Sequence, residues 1–242
     1  TTLVKYLYKK ADLVISNAKA SALDLIKNFN VNRSKMEVIY NPIDYEKIFK
    51  INPITNYFDT SYYNIITVGR LQEVKNHKLL IDTIKDFKNV RLYIIGEGEL
   101  RTKLETQIQN LGLGNNVFLL GFKSPPFEYL KSADLFVLSS NNEGFPNVVM
   151  EGMACGLPIL STNCKSGPSE MLELAEEKED DIMLTKYGVL TPVEDVAVFK
   201  KGLNYMINNP TFTNECKANV LIRIKHYDKE TILEQYYKLI IA

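Results

Sequence analysis

Apolar residues in this chain fall in short, dense runs separated by longer stretches of mixed polarity. Ile65-Ile66-Thr67-Val68 and Leu92-Tyr93-Ile94-Ile95 are nearly continuous. Runs of this length, bounded by turn residues, read as strands buried on both faces, as in a parallel sheet. The same criterion predicts strands at 13–16, 36–40, 64–69, 90–96, 117–120, 135–139, 158–162 and 188–190. Helical spacing covers 75–87 and 99–111, and a last helix is predicted at 229–241. Strands alternating with helices predict an α/β fold, a doubly wound parallel sheet. Ligands of such sheets bind beyond the carboxyl ends of the strands.

Two features organise the chain further. Ala11-Asp12-Leu13-Val14-Ile15-Ser16 matches Ala133-Asp134-Leu135-Phe136-Val137-Leu138-Ser139 in residue type. Either one strand entry is used in each of two Rossmann-like halves, or Ala-Asp before an apolar strand is merely common. Pro42, in Asn41-Pro42-Ile43-Asp44, ends regular pairing, and residues 42–59 read as a linker. Residues 173–181 are acidic and read as a solvated surface insertion. The chain opens on Thr1 inside a helix-like pattern, so a fragment lacking an N-terminal region is expected.

Composition narrows the classes. The 242 residues are 45% hydrophobic, enough for a packed core. Lys plus Arg number 29 and Asp plus Glu number 29, so no net charge draws the chain to nucleic acid or to a membrane. Any phosphate binding must therefore be local. Cys155, Cys164 and Cys216 have neither disulfide-framework nor zinc spacing and read as buried small residues. His77 and His226 lack metal-ligand spacing and read as surface or satisfied residues. No signal peptide and no apolar run of about 18 residues is present, so a soluble, cytoplasmic protein is expected.

The densest chemistry lies in Asn142-Glu143-Gly144-Phe145-Pro146-Asn147-Val148-Val149-Met150-Glu151. Glu143 falls in a turn-like stretch and Glu151 on a predicted helix. Pro146 suits the first helical position, and the N–H groups after it would point at an anion site. Carboxylates on either side of such a helix end suit a ligand with both phosphate and hydroxyls, such as a nucleotide sugar. Read alone, Glu143 is a helix-capping acid and Glu151 a surface glutamate. Arg70 follows Gly69 at a strand end and Lys75 opens the next helix, which sets both cations above the strand ends. Gly96-Glu97-Gly98 is only a G-x-G, with Arg101 where a third glycine would fall, so a tight turn explains it at least as well as dinucleotide binding. Phe122, in Gly121-Phe122-Lys123, could stack on a base or simply pack.

The ordered set Val68-Gly69-Arg70-Leu71 with Lys75, Gly96-Glu97-Gly98, Ala133 to Ser139, Glu143 with Glu151, and Ser166-Gly167-Pro168-Ser169-Glu170 resembles the retaining glycosyltransferases of family four, which have the GT-B fold. The resemblance runs from about Ala11 to the end. It implies that 1–41 is a remnant of an N-terminal acceptor domain, 42–59 an interdomain linker, 60–225 the nucleotide-sugar-binding Rossmann-like domain, and 226–242 a C-terminal helix crossing back toward the first domain. It implies that Arg70 and Lys75 hold the donor's diphosphate, that Glu143 faces the donor sugar, and that Glu151 accepts from the ribose hydroxyls. Gly69, Gly96 and Gly98 would lie near the nucleotide. Phe122 and Lys123 would sit at the base, and Phe145, Pro146 and Asn147 would present the sugar-facing loop.

The implied reaction moves a sugar from a nucleoside diphosphate to an acceptor hydroxyl with retention. No cofactor and no metal are expected, since no Asp-x-Asp occurs. The expected partners are the nucleotide sugar and a glycan or lipid-linked acceptor, not nucleic acid. Peripheral association with the inner face of a membrane would come through the missing N-terminal domain. The Lys-, Asn-, Ile- and Tyr-rich composition fits a low-GC bacterial source, where such enzymes often build surface polysaccharide. Without its first domain the fragment should bind donor weakly and transfer little or no sugar. Two other classes stay open: a dinucleotide-binding oxidoreductase, and a catalytically idle binding or scaffold domain.

Overall fold

The structure, a computed structural model, describes residues 2–241. A small lobe is formed by α1 (Thr2–Lys10), β1 (Val14–Ser16), α2 (Lys19–Phe29) and β2 (Met36–Val38), with β1 and β2 paired in parallel. After α3 (Tyr45–Phe49) the chain enters a seven-stranded sheet. Its elements are β3 (Tyr63–Val68), α4 (His77–Ile84), β4 (Val90–Ile95), α5 (Arg101–Asn110), β5 (Val117–Gly121), α6 (Phe127–Leu130), β6 (Leu135–Leu138), α7 (Asn147–Ala154), β7 (Ile159–Thr162), α8 (Pro168–Met171), β8 (Met183–Thr185), β9 (Gly188–Thr191), α9 (Val196–Asn208), α10 (Pro210–Arg223) and α11 (Lys229–Ile241).

Spatial order in this sheet is β5-β4-β3-β6-β7-β9-β8, parallel except for the β8–β9 hairpin. The chain winds outward from β3 to β5, returns to β6, and winds the other way. The doubly wound prediction is correct, and all eight expected strands exist. β8 is the addition, a three-residue edge strand too short to stand out. The apolar runs are continuous because the pleat sends alternate residues to two cores. Ile66, Tyr93, Ile95, Phe136 and Leu138 join α7, Val220 of α10 and Tyr227 on one face. Ile65, Leu92, Ile94, Leu135 and Val137 join α4, α5 and α9 on the other.

Three local expectations are corrected. The helix expected at 75–87 is a 3-10 turn, Glu73–Lys75, then α4, separated by Asn76 in the left-handed region (φ 46°). Lys75 therefore ends a turn instead of opening a helix. Pro146 sits one position before α7, with extended backbone (ψ 95°), and not at the first helical position. Residues 42–59 do not run free: they contain α3, and Ile43, Ile48 and Phe58 are buried in the core. Ile43 N–H donates to Tyr227 O at 2.9 Å and Lys229 N–H to Ile43 O at 3.1 Å, tying this segment to the start of α11. Residues 175–180 are exposed, as expected for a surface insertion.

The loops after β3 and β4 lock together through glycine. A Cβ on Gly96 (φ 149°) would lie 1.9 Å from Gly69 O, and one on Gly98 2.5 Å from Leu71 O. Their absence lets Gly69 N–H reach Ile95 O at 2.9 Å and Leu71 N–H reach Glu97 O at 3.0 Å. The turn reading of this G-x-G is the one the packing supports. Gly96→Ala is expected to lower unfolding stability by more than about 2 kcal/mol, as a backbone clash combined with a disfavoured φ should. Urea unfolding followed by circular dichroism measures it.

Candidate active site

Between β3 and β6 the winding reverses, and a doubly wound sheet places its ligand crevice at such a point. The ladder there is short: Ile65 pairs with Leu135 and Ile66 with Phe136, whereas β3 and β4 pair over six positions. Beyond it, side-chain and backbone bonds join the two loops. Ser139 Oγ donates to Lys75 O at 2.8 Å, Asn141 N–H to Val74 O at 2.9 Å, and Asn76 Nδ2 to Asn141 Oδ1 at 3.0 Å. Over this floor Lys75 Nζ meets Glu143 Oε1 at 2.5 Å, and Ser140 Oγ donates to the same oxygen at 2.7 Å. Both ionic side chains are largely covered, 22% and 11% exposed. A charged pair this shielded interacts far more strongly than one on the open surface.

Helix α7 begins four residues after Glu143. Pro146 provides no side-chain cap. First-turn N–H groups of a helix lack intrahelical partners, and they make its N-terminus a site for anions. One hollow of about 460 Å³ is lined by Asn147 and Glu151 of α7, Ser124 and Pro125, and Asp44 and Lys47. Another of about 480 Å³ is lined by Glu143, Gly144, Lys165 and Ser166 and by Ser21 and Asp24 of α2. The two carboxylates thus line different hollows. Their environments also differ. Burial pushes the Glu151 carboxyl up to about 7.

The remaining candidates divide. Gly69, Gly96 and Gly98 form the packed loop crossing described above. Arg70 is exposed beside them and makes no ion pair among the described residues. Phe122 is 73% exposed, which removes the packing alternative and leaves its ring at the surface near the cleft. Lys123 Nζ lies 5.6 Å from the centre of the Tyr129 ring. Asn147 Oδ1 accepts from Asn41 Nδ2 at 2.6 Å, at the junction with the small lobe. The Phe145 side chain is buried, stacked on Tyr40 at 5.2 Å and edge-on to Tyr227 at 5.6 Å, so its ring anchors the 143–146 loop to the core.

His77 was misread. It is 2% exposed, with Nδ1 buried and unpartnered. A Cβ on Gly69 would lie 3.6 Å from its Nε2 and 3.7 Å from Lys75 Cδ, so imidazole and lysine stem flank the same glycine. Burial, then the Lys75 charge, lowers its pKa to about 4. Its place two residues after Lys75 was the only sequence signal. His226 is exposed, as expected.

The fold is a doubly wound α/β sheet with a cation, two carboxylates and a helix end near its switch point. Residues 50–221 match the family described as Glycosyl transferases group 1, and the chain belongs to that family. It is 33% identical over 241 residues, 99% of its own length, to the N-acetylgalactosamine-N,N'-diacetylbacillosaminyl-diphospho-undecaprenol 4-alpha-N-acetylgalactosaminyltransferase of Campylobacter jejuni. It is likewise 33% identical over 265 residues, 98% of its length, to a glycosyltransferase of Methanocaldococcus jannaschii. It spans 63% and 65% of those two proteins. Among solved structures it matches Anabaena HepE in complex with UDP, with a TM-score of 0.84, 25% identity, and coverage of 98% of this chain and 65% of that one. The fold is that of GT-B glycosyltransferases, and family membership removes the oxidoreductase alternative.

The Glu151 shift has a pH consequence. An unperturbed glutamate titrates near 4.5, so between about pH 4.5 and 7 the folded protein keeps a proton that the unfolded chain has lost. This group favours the folded state at low pH, and the advantage is lost as pH rises through 7, roughly 1–3 kcal/mol in all. Glu151→Gln should therefore flatten the decline in melting temperature between pH 5 and 8, measured by differential scanning fluorimetry.

Proposed function

We propose that the chain is the donor-binding part of a retaining glycosyltransferase of family four, acting on a UDP-sugar and a glycan or lipid-linked acceptor in bacterial surface-glycan synthesis. The observation that carries this reading is the Lys75–Glu143 pair at the switch point, with an uncapped helix end four residues after Glu143 and the two carboxylates lining different hollows. The nucleoside occupies the hollow beside Glu151 and the 121–125 loop, with the carboxylate accepting from the ribose hydroxyls. The diphosphate lies over α7, where Arg70, Lys75 and the helix N–H groups neutralise it without a metal ion. The sugar points toward Glu143.

As the bond to the leaving phosphate breaks, negative charge grows on the diphosphate. Lys75 then exchanges part of its contact with Glu143 for the phosphate oxygens, which strengthens in the transition state. The acceptor hydroxyl attacks from the face of the departing phosphate, and that phosphate takes its proton. This gives retention with no enzyme nucleophile. The α linkage in the Campylobacter relative's name supports retention, since nucleoside-diphosphate N-acetylhexosamines are α-linked donors. UDP in the HepE complex supports uracil as the base. Residues 1–41 belong in this reading to an acceptor domain continued by a preceding region, through which the whole protein meets the cytoplasmic face of a membrane. The 242-residue chain alone is then a weak donor binder with little or no transfer activity.

UDP at millimolar concentration should raise the melting temperature, and GDP and ADP should raise it less. Arg70→Ala and Lys75→Ala should each weaken UDP binding at least tenfold, about 1.5–3 kcal/mol per charge-assisted contact. Titration calorimetry measures the affinities. No thermal shift with any nucleotide, or unchanged affinity in both variants, contradicts the reading.

A further inference from the structure

The donor reading leaves the turn Ser166-Gly167-Pro168-Ser169-Glu170 without a role, although it stood out in the sequence. In the structure it is wedged between the small lobe and the Glu143 loop. Helix α2 has Ala18 at its N-cap, which supplies no side-chain acceptor. Glu170 supplies one from the other lobe: Lys19 N–H donates to its two carboxylate oxygens at 2.9 and 3.2 Å. A carboxylate at a helix N-terminus is favoured by both the free N–H groups and the helix dipole. Tyr40 Oη donates to the same carboxylate at 2.6 Å. The Tyr40 ring stacks on Phe145, two residues after Glu143.

A second route runs in parallel. Ser166 Oγ donates to Gly144 O at 2.8 Å and lies 3.2 Å from Ser21 Oγ of α2. Gly167 (φ 94°) packs so closely that a Cβ there would lie 2.5 Å from Pro146 Cδ. One side of the turn therefore touches residues 144–146 and the other side touches α2 and Tyr40.

We propose that Glu170 is a positioning residue: by capping α2 and holding Tyr40 it fixes the 143–146 loop, so that the placement of the small lobe sets the Glu143 carboxylate. Glu170 touches no donor atom and acts through Tyr40 and Phe145. The nucleoside hollow beside Glu151 contains none of this network. Loss of the contact should therefore spare the nucleotide and affect the sugar end. This functional consequence rests on the donor reading, whereas the coupling of α2 to the loop does not.

Amide hydrogen exchange on the whole chain tests the coupling. Glu170→Ala should speed exchange at least tenfold both at the start of α2 and across 143–145, the stretch before Pro146. Tyr40→Phe keeps the stack on Phe145 but loses the bond to Glu170 and should speed exchange across 143–145 part of the way, while Tyr40→Ala, which loses the stack as well, should expose it fully. Glu170→Gln retains an acceptor for Lys19 N–H and should restore most of the protection. It also serves as the folded comparison if circular dichroism shows Glu170→Ala to be unfolded. Faster exchange confined to α2, with 143–145 unchanged in Glu170→Ala and Tyr40→Ala, overturns the proposal.

Binding then tests the consequence. UDP affinity should stay within twofold of wild type in Glu170→Ala, while any extra affinity that the wild type gains from the sugar of UDP-N-acetylgalactosamine should be lost. Retention of that gain overturns the functional half of the proposal. Failure of wild type to bind UDP sinks the donor reading and leaves the exchange result to decide the coupling.

Discussion

The short ladder between β3 and β6 is the contact on which the rest of this molecule depends. Two paired positions and a backbone bond from Asp134 N–H to Asn64 O join β3 to β6, and the crevice expected at a switch point lies beyond them. The bonds that cross it are one backbone bond, Asn141 N–H to Val74 O, and side-chain bonds from Ser139 and Asn76, with the Lys75–Glu143 ion pair beside them. Backbone ladders are fixed by the fold. A side-chain bridge can be exchanged for a ligand, and the crevice is where the sheet leaves such exchange open.

The two glutamates eight residues apart have been given opposite electrostatic settings. Glu143 has a cation and a hydroxyl on one oxygen and is held in place by them. Glu151 is half-buried, and the lost hydration disfavours its ionised form. A half-buried group held near neutrality can respond to whatever enters its hollow, because a ligand hydroxyl that donates to the carboxylate offsets part of the lost hydration. His77 extends the pattern beside Gly69, where burial and the neighbouring Lys75 charge both disfavour its protonated form.

The small lobe is bound to the sheet through polar contacts at one end of the cleft. Glu170, Tyr40, Ser21 and Ser166 join it to the 144–146 loop, and Asn41 joins it to Asn147 at the start of α7. Hydrogen bonds of this kind contribute modestly one by one and strongly constrain geometry together. The same residues that orient the lobe therefore also orient the site.

How much of this the sequence itself carried follows from which interactions are local. Runs such as Ile65-Ile66-Thr67-Val68 could only be doubly buried strands, and their alternation with helices left one sheet architecture. The ordered glycines, cations and glutamates placed the chemistry at the strand ends, because those residues lie just after the apolar runs. What the sequence could not carry were decisions made by contact between distant segments. Asn76 breaks the expected helix because the turn before it is bonded to Ser139 and Asn141 of another loop. Phe145 turns inward because Tyr40 and Tyr227, far away in the chain, offer it a stack. His77 lost its water, and Glu151 its ordinary acidity, through burial by packed elements. Burial and partner choice are properties of three-dimensional neighbours, and only the tertiary structure decides who those neighbours are.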